Sequence, residues 1–372
     1  MRVPAYLDHN ATSPLRPAVL DAMVEALRAG GNPSAVHSVG RKARSLVEAA
    51  RRSVAELVGC LPGEVVFTSG GTEANNLALR GAGHRRVLVS AVEHDSVGKA
   101  SPDGEIIGVD GEGVVDLGAL ERMLGQPGEP ALVSVMLANN ETGVVQPVGE
   151  VVRLARRAGA LVHCDAVQAA GKLGFDVHGL GVDYLSLSAH KLGGPAGVGA
   201  LVVCNGAPLA PDRRGGSQEA NRRAGTENVA GIAGFGAAAT AARSGLPVAP
   251  LRDRLESTLR HIAPGARIFG GGARRLDNTS CIAMPGVKAE TQVMAFDLAG
   301  VCVSAGAACS SGKVQRSAVL DAMGVEPAEA ATAIRVSLGW NSEPGDIDRL
   351  IAAWRDLYLR AGKSDIDDAR AA

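Results

Sequence analysis

The amino-acid sequence predicts an α/β protein: a large domain with a mostly parallel sheet covered by helices, and a smaller α+β domain. Short runs rich in Val, Leu and Ala alternate with helical patterns, and turn residues bound these runs. Runs of this length and composition are typical of strands buried on both faces. Because parallel strands need a crossover between them, strand–helix alternation favours a parallel sheet.

The elements are expected in the following order. Residues 41–58 place apolar side chains on one helical face and charged side chains opposite, which predicts an amphipathic helix. A second helix is expected to open at residues 69–73, and a third over 148–158. A turn-rich segment at 245–250 indicates a boundary, beyond which α and β elements continue. The expected strands are 65–68, 87–90, 131–137, 160–164, 184–188 and 198–204.

Composition argues against several classes of function. The chain has 38 Lys and Arg against 39 Asp and Glu, a formal net charge of −1. It therefore lacks the basic footprint of a nucleic-acid-binding protein and the polybasic patch of a membrane-surface protein. The first residues contain no apolar signal segment, and the six cysteines are scattered without a C-x-x-C pair. We therefore expect a reduced, cytoplasmic protein without a metal centre.

The first motif with chemical potential is Ser69-Gly70-Gly71-Thr72-Glu73, between a strand and a helix. Glycines let backbone N–H groups face an anion, and a helix N-terminus favours negative charge. Thr72 adds a hydroxyl donor. The motif is consistent with a phosphate site, and also with an ordinary glycine turn at a helix start.

The second motif is the strand end at Asp165, followed by Gln168. Open α/β sheets bind ligands at the carboxyl ends of their strands. A buried carboxylate there needs a cationic or hydrogen-bonding partner, and a protonated ring nitrogen is one. Gln168 is spaced to reach an adjacent ring oxygen. Two alternatives stay open: a helix-capping Asp165, and a metal pair with His163 that has no evident third ligand.

The third motif is Lys191, which follows a strand end and precedes Gly193-Gly194-Pro195. Solvated surface lysines are common, but here Ser188 and His190 flank the lysine and glycines open space around it. This setting suits a lysine that forms a Schiff base with a carbonyl cofactor.

The fourth motif is Cys309, in the small-residue, glycine-bounded segment 304–312. A nucleophilic cysteine needs access and help with ionisation, whereas a structural cysteine is buried and inert. The neighbours of Cys309 are too small and turn-prone for a core strand, which favours a functional thiol.

Together these motifs predict pyridoxal 5′-phosphate (PLP) chemistry. At these residues the sequence resembles the cysteine desulfurases, the NifS/IscS-like group within the class V aminotransferase superfamily. The resemblance extends from residues 7–12 to residues 335–339, which is nearly the whole chain. Between those ends it includes segments 32–34, 70–73, 93–94, 139–143, 165–168, 190–191, 223–228 and the Cys309 loop.

The resemblance implies the role of each candidate residue. Lys191, Cys309 and His94 would act in catalysis, with Lys191 holding PLP and Cys309 attacking the sulfur of L-cysteine. Asn140 and Arg335 would bind the substrate carboxylate. The cofactor-binding residues would be Gly71, Thr72, His94, Asp165, Gln168, Ser188, His190, Lys191 and Thr226.

The resemblance also implies the PLP-dependent transferase fold of type I. Residues 14–247 would form the large PLP-binding domain, and residues 1–13 with 248–372 the small domain that carries the Cys309 loop. Thr226 would reach the phosphate of the neighbouring subunit in a homodimer. The persulfide sulfur formed on Cys309 would pass to an acceptor protein, such as an iron–sulfur scaffold.

Two alternatives differ in function. A selenocysteine lyase or another class V PLP enzyme has the same fold, although an aminotransferase needs no thiol nucleophile. A catalytically silent scaffold that kept the PLP fold belongs to a different class, and an intact Lys191, Asp165 and Cys309 argue against it.

Overall fold

The computed structural model describes residues 3–83, 86–306 and 316–371 of the 372-residue chain, with side chains as far as residue 361. Within these ranges, no helix combines the length and apolar composition that a membrane span requires. Strands β1 to β12 are, in order, Ala5–Tyr6, Val65–Thr68, Arg86–Ser90, Glu105–Ile107, Ala131–Ser134, Leu161–Asp165, Tyr184–Ser188, Gly199–Val203, Thr279–Ala283, Val301–Cys302, Ser304–Ala305 and Ala333–Ser337. Helices α1 to α13 are Pro17–Ala29, Ser38–Val58, Gly71–Gly81, Asp95–Gly98, Leu117–Leu124, Val148–Arg157, Val177–Leu180, Val229–Ala242, Ala249–Ile262, Ala289–Leu298, Ala318–Ala322, Pro327–Ala330 and Pro344–Ala371.

Seven of the described strands form one sheet, the large sheet, in the order β2-β8-β7-β6-β5-β3-β4. Strands β4, β3, β5, β6 and β7 pair in parallel. Strand β8 runs antiparallel to both of its neighbours, β2 and β7. Strands β2, β3, β5, β6 and β7 therefore end at one edge, the carboxyl edge. The predicted mostly parallel sheet is confirmed.

Helices cover this sheet because their apolar faces need burial. The helix expected over 41–58 begins earlier, at Ser38, where the ring of His37 accepts a hydrogen bond from Gly40 N. Its buried face packs on α8. At Gly236 the two helices lie so close that an added Cβ would be 2.6 Å from Ala50 Cα. A glycine at this position permits that close helix packing.

The predicted strands 65–68 and 184–188 match β2 and β7. The predicted strand 131–137 ends earlier, at Ser134. The reason is a tight turn farther on, in which Asn139 Oδ1 accepts hydrogen bonds from the amides of Glu141 and Thr142, both at 2.9 Å. The chain enters that turn from residues 135–138, which lie at the carboxyl edge.

A second hydrophobic core contains residues from both ends of the chain, including Leu7 and the fully buried Trp354. It contains the small sheet, in which β11, β12 and β9 lie side by side and pair antiparallel. Strand β1 pairs in parallel with β10. The N-terminal segment thus packs with residues that follow position 245, while the domain bounds 14–247 and 248–372 stay a prediction.

Candidate active site

A cavity of about 250 Å³ lies at the carboxyl edge of the large sheet. Asp165 ends β6 and Lys191 follows β7, whereas Arg335 reaches the cavity from β12 of the small sheet. The cavity therefore lies between the two sheets. Its lining includes most of the residues singled out in the sequence, namely Gly71, Thr72, His94, Asn140, Asp165, Gln168, Ser188, His190, Lys191 and Arg335.

Lys191 ends a short 3₁₀ turn that begins directly after β7. Its Nζ donates to the carbonyl oxygens of Asn10, at 2.5 Å, and Ala11, at 2.7 Å. The turn also needs Gly194, where an added Cβ would lie 2.8 Å from Ala189 O. The local backbone therefore aims a tethered amine into the cavity, where it can meet a carbonyl carbon.

Asp165 is only 5% exposed, and both of its carboxylate oxygens are hydrogen-bonded. Oδ2 accepts from Asn75 Nδ2 at 2.8 Å, and Oδ1 accepts from Val167 N at 2.9 Å. The second bond is the local turn that a purely structural aspartate makes. Because the same side chain also lines the cavity, it is held in one orientation and can accept from a ligand's N–H.

A second buried acid, Glu93, lies behind Asp165. Its Oε1 accepts from Met136 N at 2.5 Å. Burial, and secondarily the charge of Asp165, raise the pKa of Glu93 well above its ordinary value. Burial next to Asp165 thus favours the neutral form of Glu93.

The start of α3 forms an anion cradle beside these acids. Gly70, with φ of 153°, precedes the helix and leaves its first N–H groups open to the cavity. An added Cβ at Gly71 would lie 2.8 Å from Val167 Cγ2, so only glycine fits there without a shift of Val167. Ser188 and His190 face the same space. Burial, with the charges of nearby lysines, lowers the pKa of His190 to about 4, which leaves a neutral ring. The cradle suits a phosphate.

Asn10 is the centre of a buried hydrogen-bond network. Gln168 Nε2 donates to its carbonyl oxygen at 3.0 Å. Lys172 Nζ donates to Asn10 Oδ1 at 2.9 Å and to Gln168 Oε1 at 2.7 Å. Burial lowers the pKa of Lys172 well below its ordinary value, and the charges of Lys191 and Arg335 lower it further. The positive charges of Lys191 and Arg335 at this point favour anionic ligands.

Arg335 is 2% exposed and is anchored on two sides. Nη2 lies 2.9 Å from Asp8 Oδ1, and Nη1 donates to Asn140 O at 3.2 Å. Among the described residues, no acceptor reaches its buried Nε. A guanidinium held in this way presents a fixed donor fork, which is the geometry that recognises a carboxylate.

His94 precedes α4 and caps it, because its Nδ1 accepts from Ser96 N at 3.1 Å. Ser96 Oγ in turn accepts from Asn75 Nδ2 at 2.9 Å. This chain of bonds connects the His94 ring to the residue that also holds Asp165, and it fixes the orientation of the ring at the cavity.

The metal-pair alternative for His163 and Asp165 is wrong. The two ring nitrogens of His163 pair with Ser134 Oγ at 2.8 Å and Ser186 Oγ at 3.0 Å. Burial lowers the pKa of His163 to about 4. The ring therefore ties three neighbouring strands together and does not line the cavity.

Of the remaining predicted site residues, one lies away from the cavity and the other is outside the described residues. Thr226 lines a separate, smaller pocket with Ser69 and Arg223. Its predicted contact with a neighbouring subunit stays a prediction. Cys309 falls in segment 307–315, which is outside the described residues.

Several residues of the site escaped the sequence analysis, namely Asn10, Asn75, Lys172 and Glu141. Asn75 could have been found, because it lies four positions after Gly71 on the same face of α3. Glu141 is buried and accepts from Ser317 Oγ at 2.6 Å. Burial raises the pKa of Glu141 to about 7, although Ser317 and Arg335 oppose the shift.

Known proteins are similar to this chain in sequence and in fold. A family model described as aminotransferase class-V matches residues 5–350. A protein of Cereibacter sphaeroides named cysteine desulfurase is 46% identical over 363 residues, which cover 93% of each chain. The solved structure of a NifS-like protein from Rickettsia africae has a TM-score of 0.88 at 35% identity, and covers 96% of this chain and 99% of its own. A structure of SspA in complex with cysteine has a TM-score of 0.76 at 29% identity, and covers 90% of this chain and 98% of its own.

Proposed function

From the premise that this chain belongs to the class-V aminotransferase family, and within it to the cysteine desulfurases, we propose that it takes sulfur from L-cysteine with PLP as its cofactor. The products are L-alanine and a persulfide on the enzyme. The observation that carries the proposal is one cavity lined by Lys191, Asp165 and Arg335. The amine of Lys191 can react with a carbonyl, the carboxylate of Asp165 can pair with a ring nitrogen, and the guanidinium of Arg335 can bind a carboxylate.

The groups around the cavity fit PLP. Lys191 would hold its aldehyde carbon, Asp165 its ring nitrogen and Gln168 its ring hydroxyl, while His94 would lie against the ring. Gly71, Thr72, Ser188 and His190 would hold the phosphate, joined by Thr226 of a neighbouring subunit. PLP, when bound, supplies an electron sink for negative charge at the substrate's α-carbon.

The protein's own residues then bind the substrate and move its protons. Arg335, anchored by Asp8, and Asn140 bind the carboxylate of L-cysteine and fix its orientation. The amine of Lys191 would take a proton from the α-carbon of the substrate and return one later. Its contacts with the backbone oxygens of Asn10 and Ala11 keep it within reach.

Cys309 takes the sulfur. Its thiolate attacks the sulfur of the substrate, so that an S–S bond forms and the substrate's C–S bond breaks. The electron pair of that bond stays on the β-carbon of the substrate, and this carbon takes up a proton. The product leaves as L-alanine. The persulfide sulfur then passes to an acceptor protein, for which an iron–sulfur scaffold is one choice.

The remaining predictions belong to the same proposal. Residues 14–247 form a PLP-binding domain, residues 1–13 and 248–372 form a smaller domain, and the protein is a cytoplasmic homodimer. The separate hydrophobic cores of the two regions support the division. The position of Thr226 outside the main cavity is consistent with its use by a second subunit.

The test measures alanine and sulfide release from L-cysteine in the presence of a reductant. We expect both products from the wild type and neither from Cys309→Ala. Cys302→Ala is the matched control, because it removes another thiol of the same region, and it should keep full activity. Full alanine release by Cys309→Ala would contradict the persulfide mechanism.

The same preparation separates the alternatives. Protein that is yellow with PLP but inert towards L-cysteine would point to selenocysteine or another amino acid as the substrate. Protein that is colourless and cannot be reconstituted with PLP would support the catalytically silent scaffold.

A further inference from the structure

A second group of chemically active side chains lies at the opposite edge of the large sheet. Glu64 directly precedes β2, and Cys204 directly follows β8. These strands are antiparallel neighbours, with Val65 opposite Val202, so the two residues meet at the edge away from the cavity. His178, in the short helix α7, lies over them. None of the three lines the cavity described above.

The three side chains converge. One ring nitrogen of His178, a carboxylate oxygen of Glu64 and the Sγ of Cys204 all lie within 4.8 Å of one another. His178 Nε2 is already 3.2 Å from Glu64 Oε2. Tetrahedral zinc, with bonds of about 2.0–2.3 Å, places its ligand atoms about 3.3–3.8 Å apart. The contact between His178 and Glu64 is already close to that range, and the 41% exposed side chain of His178 leaves the ring room to adjust.

We propose that Glu64, His178 and Cys204 bind one divalent transition metal of the zinc class, with water as the fourth ligand. Imidazole nitrogen, thiolate sulfur and carboxylate oxygen are the donors that zinc takes in proteins, whereas magnesium and calcium prefer oxygen alone. The metal displaces the thiol proton of Cys204 to the buffer as the metal–sulfur bond forms.

The surroundings suit a cation. Asp176 caps α7 through its Oδ1, which accepts from Gly179 N at 2.8 Å. Its charge acts on both Cys204 and Cys60, as does that of Glu64. The site therefore holds two acids and a second thiol close by. A bound metal would join β2, β8 and α7, which are distant in sequence, and would stabilise this edge of the sheet independently of the desulfurase chemistry.

The test is a titration of the metal-free holoenzyme with Co²⁺, which replaces zinc and colours four-coordinate sites. L-cysteine is left out because it chelates metals, and the titration uses Cys309→Ser protein so that the active-site thiol does not compete. We expect intense visible ligand-field bands that saturate at one Co²⁺ per chain and disappear when one equivalent of Zn²⁺ is added.

Two variants identify the ligands. His178→Ala, at an exposed position, should fold normally and weaken Co²⁺ binding by at least about 100-fold, since even indirect partners of a metal ligand are worth about 10–100-fold. Cys204→Ser should abolish the sulfur-to-cobalt charge-transfer band. Cys60→Ser, the matched control, should keep both signals.

The proposal is overturned if the parent protein shows no ligand-field bands. It is also overturned if His178→Ala and Cys204→Ser bind Co²⁺ like the parent, or if only Cys60→Ser loses binding. In those cases the three residues are an ion pair beside a buried thiol. Alanine release by His178→Ala in an otherwise wild-type chain should be unchanged, which separates this site from the active site.

Discussion

The two walls of the active-site cavity are held in different ways. One wall, the sheet wall, consists of Gly71, Asp165 and Lys191 at the carboxyl edge of the large sheet. The other, the arginine wall, consists of Asp8 and Arg335 with the Asn140 loop. The sheet wall is positioned by strands that lie side by side and by turns of a few residues. The arginine wall depends on an ion pair between residues 327 positions apart.

This difference indicates that the two walls have different functions. Groups that hold a cofactor permanently can be built into one rigid sheet, which positions side chains more firmly than loops do. Groups that select a substrate lie where two hydrophobic cores meet. Variants of the sheet wall should therefore lose the cofactor, whereas variants of the arginine wall should keep the cofactor and lose the substrate.

The largest expected effect is that of Lys191→Ala in the sheet wall. It removes the only group proposed to hold PLP covalently and to move protons at the substrate. We expect alanine release to fall by at least about 10³-fold, within the range for a lost proton-transferring group. The absorption band of the covalently held cofactor should disappear as well. A variant that kept both the band and half of the activity would contradict the role of Lys191.

A second test concerns the stability of the arginine wall. Burial raises the pKa of Glu141 to about 7, above its ordinary value of 4.5. The folded state therefore binds this proton more tightly than the unfolded state. The resulting contribution to stability is complete below pH 4.5 and is lost as the pH rises through about 7.

Glu141→Gln should remove this dependence. Between pH 4.5 and 8 the free energy of unfolding of the wild type should fall relative to the variant, by up to about 3 kcal/mol. Urea denaturation at a series of pH values measures the difference. Parallel curves for the two proteins would show that Glu141 has an ordinary pKa.

A third variant, Arg335→Lys, keeps the positive charge but loses the fork that holds Asp8 and is proposed to bind the substrate carboxylate. A hydrogen bond between charged groups is worth about 1.5–3 kcal/mol, so we expect KM for L-cysteine to rise by about 10–100-fold. The cofactor spectrum should not change. Loss of the cofactor together with the substrate would erase the distinction between the two walls.

The smallest effect is expected for Lys172→Met, which removes the amine that bridges Asn10 and Gln168. Gln168 Oε1 loses this donor, whereas Asn10 Oδ1 still accepts from Asn278 Nδ2 at 3.2 Å. We expect kcat/KM to fall by about tenfold, as for one unsatisfied buried polar group. Lys172→Arg, which keeps hydrogen-bond donors at this position, should restore part of the activity. An unchanged kcat/KM in Lys172→Met would mean that the hydrogen bonds of Lys172 do not contribute to catalysis.

Local sequence patterns predicted Asp165 and Lys191 of the sheet wall, whereas Arg335 and Asn140 of the arginine wall were expected only from the resemblance to the cysteine desulfurases. Asp165 ends one strand and Lys191 comes shortly after another, and both strands can be recognised in the sequence. The carboxyl edge of a parallel sheet brings residues at such positions together. Asn10 and Lys172 carry no such local sign, because their partners are defined only when the chain has folded. The raised pKa of Glu141 likewise follows from burial between distant segments, and the pattern of its neighbours does not reveal it.

Because Asp8 and Arg335 lie far apart in the sequence, the ribosome makes them at well separated times. At about 5–20 residues per second, a ribosome needs roughly 20–60 s to advance from one to the other. In the later part of that interval, after β8 has been made, the carboxyl edge is complete in sequence, but its arginine partner has not been made. A nascent chain can thus gather the parts of its cofactor site while it is unable to capture cysteine. The cavity can therefore have its full lining only after Arg335 has left the ribosome.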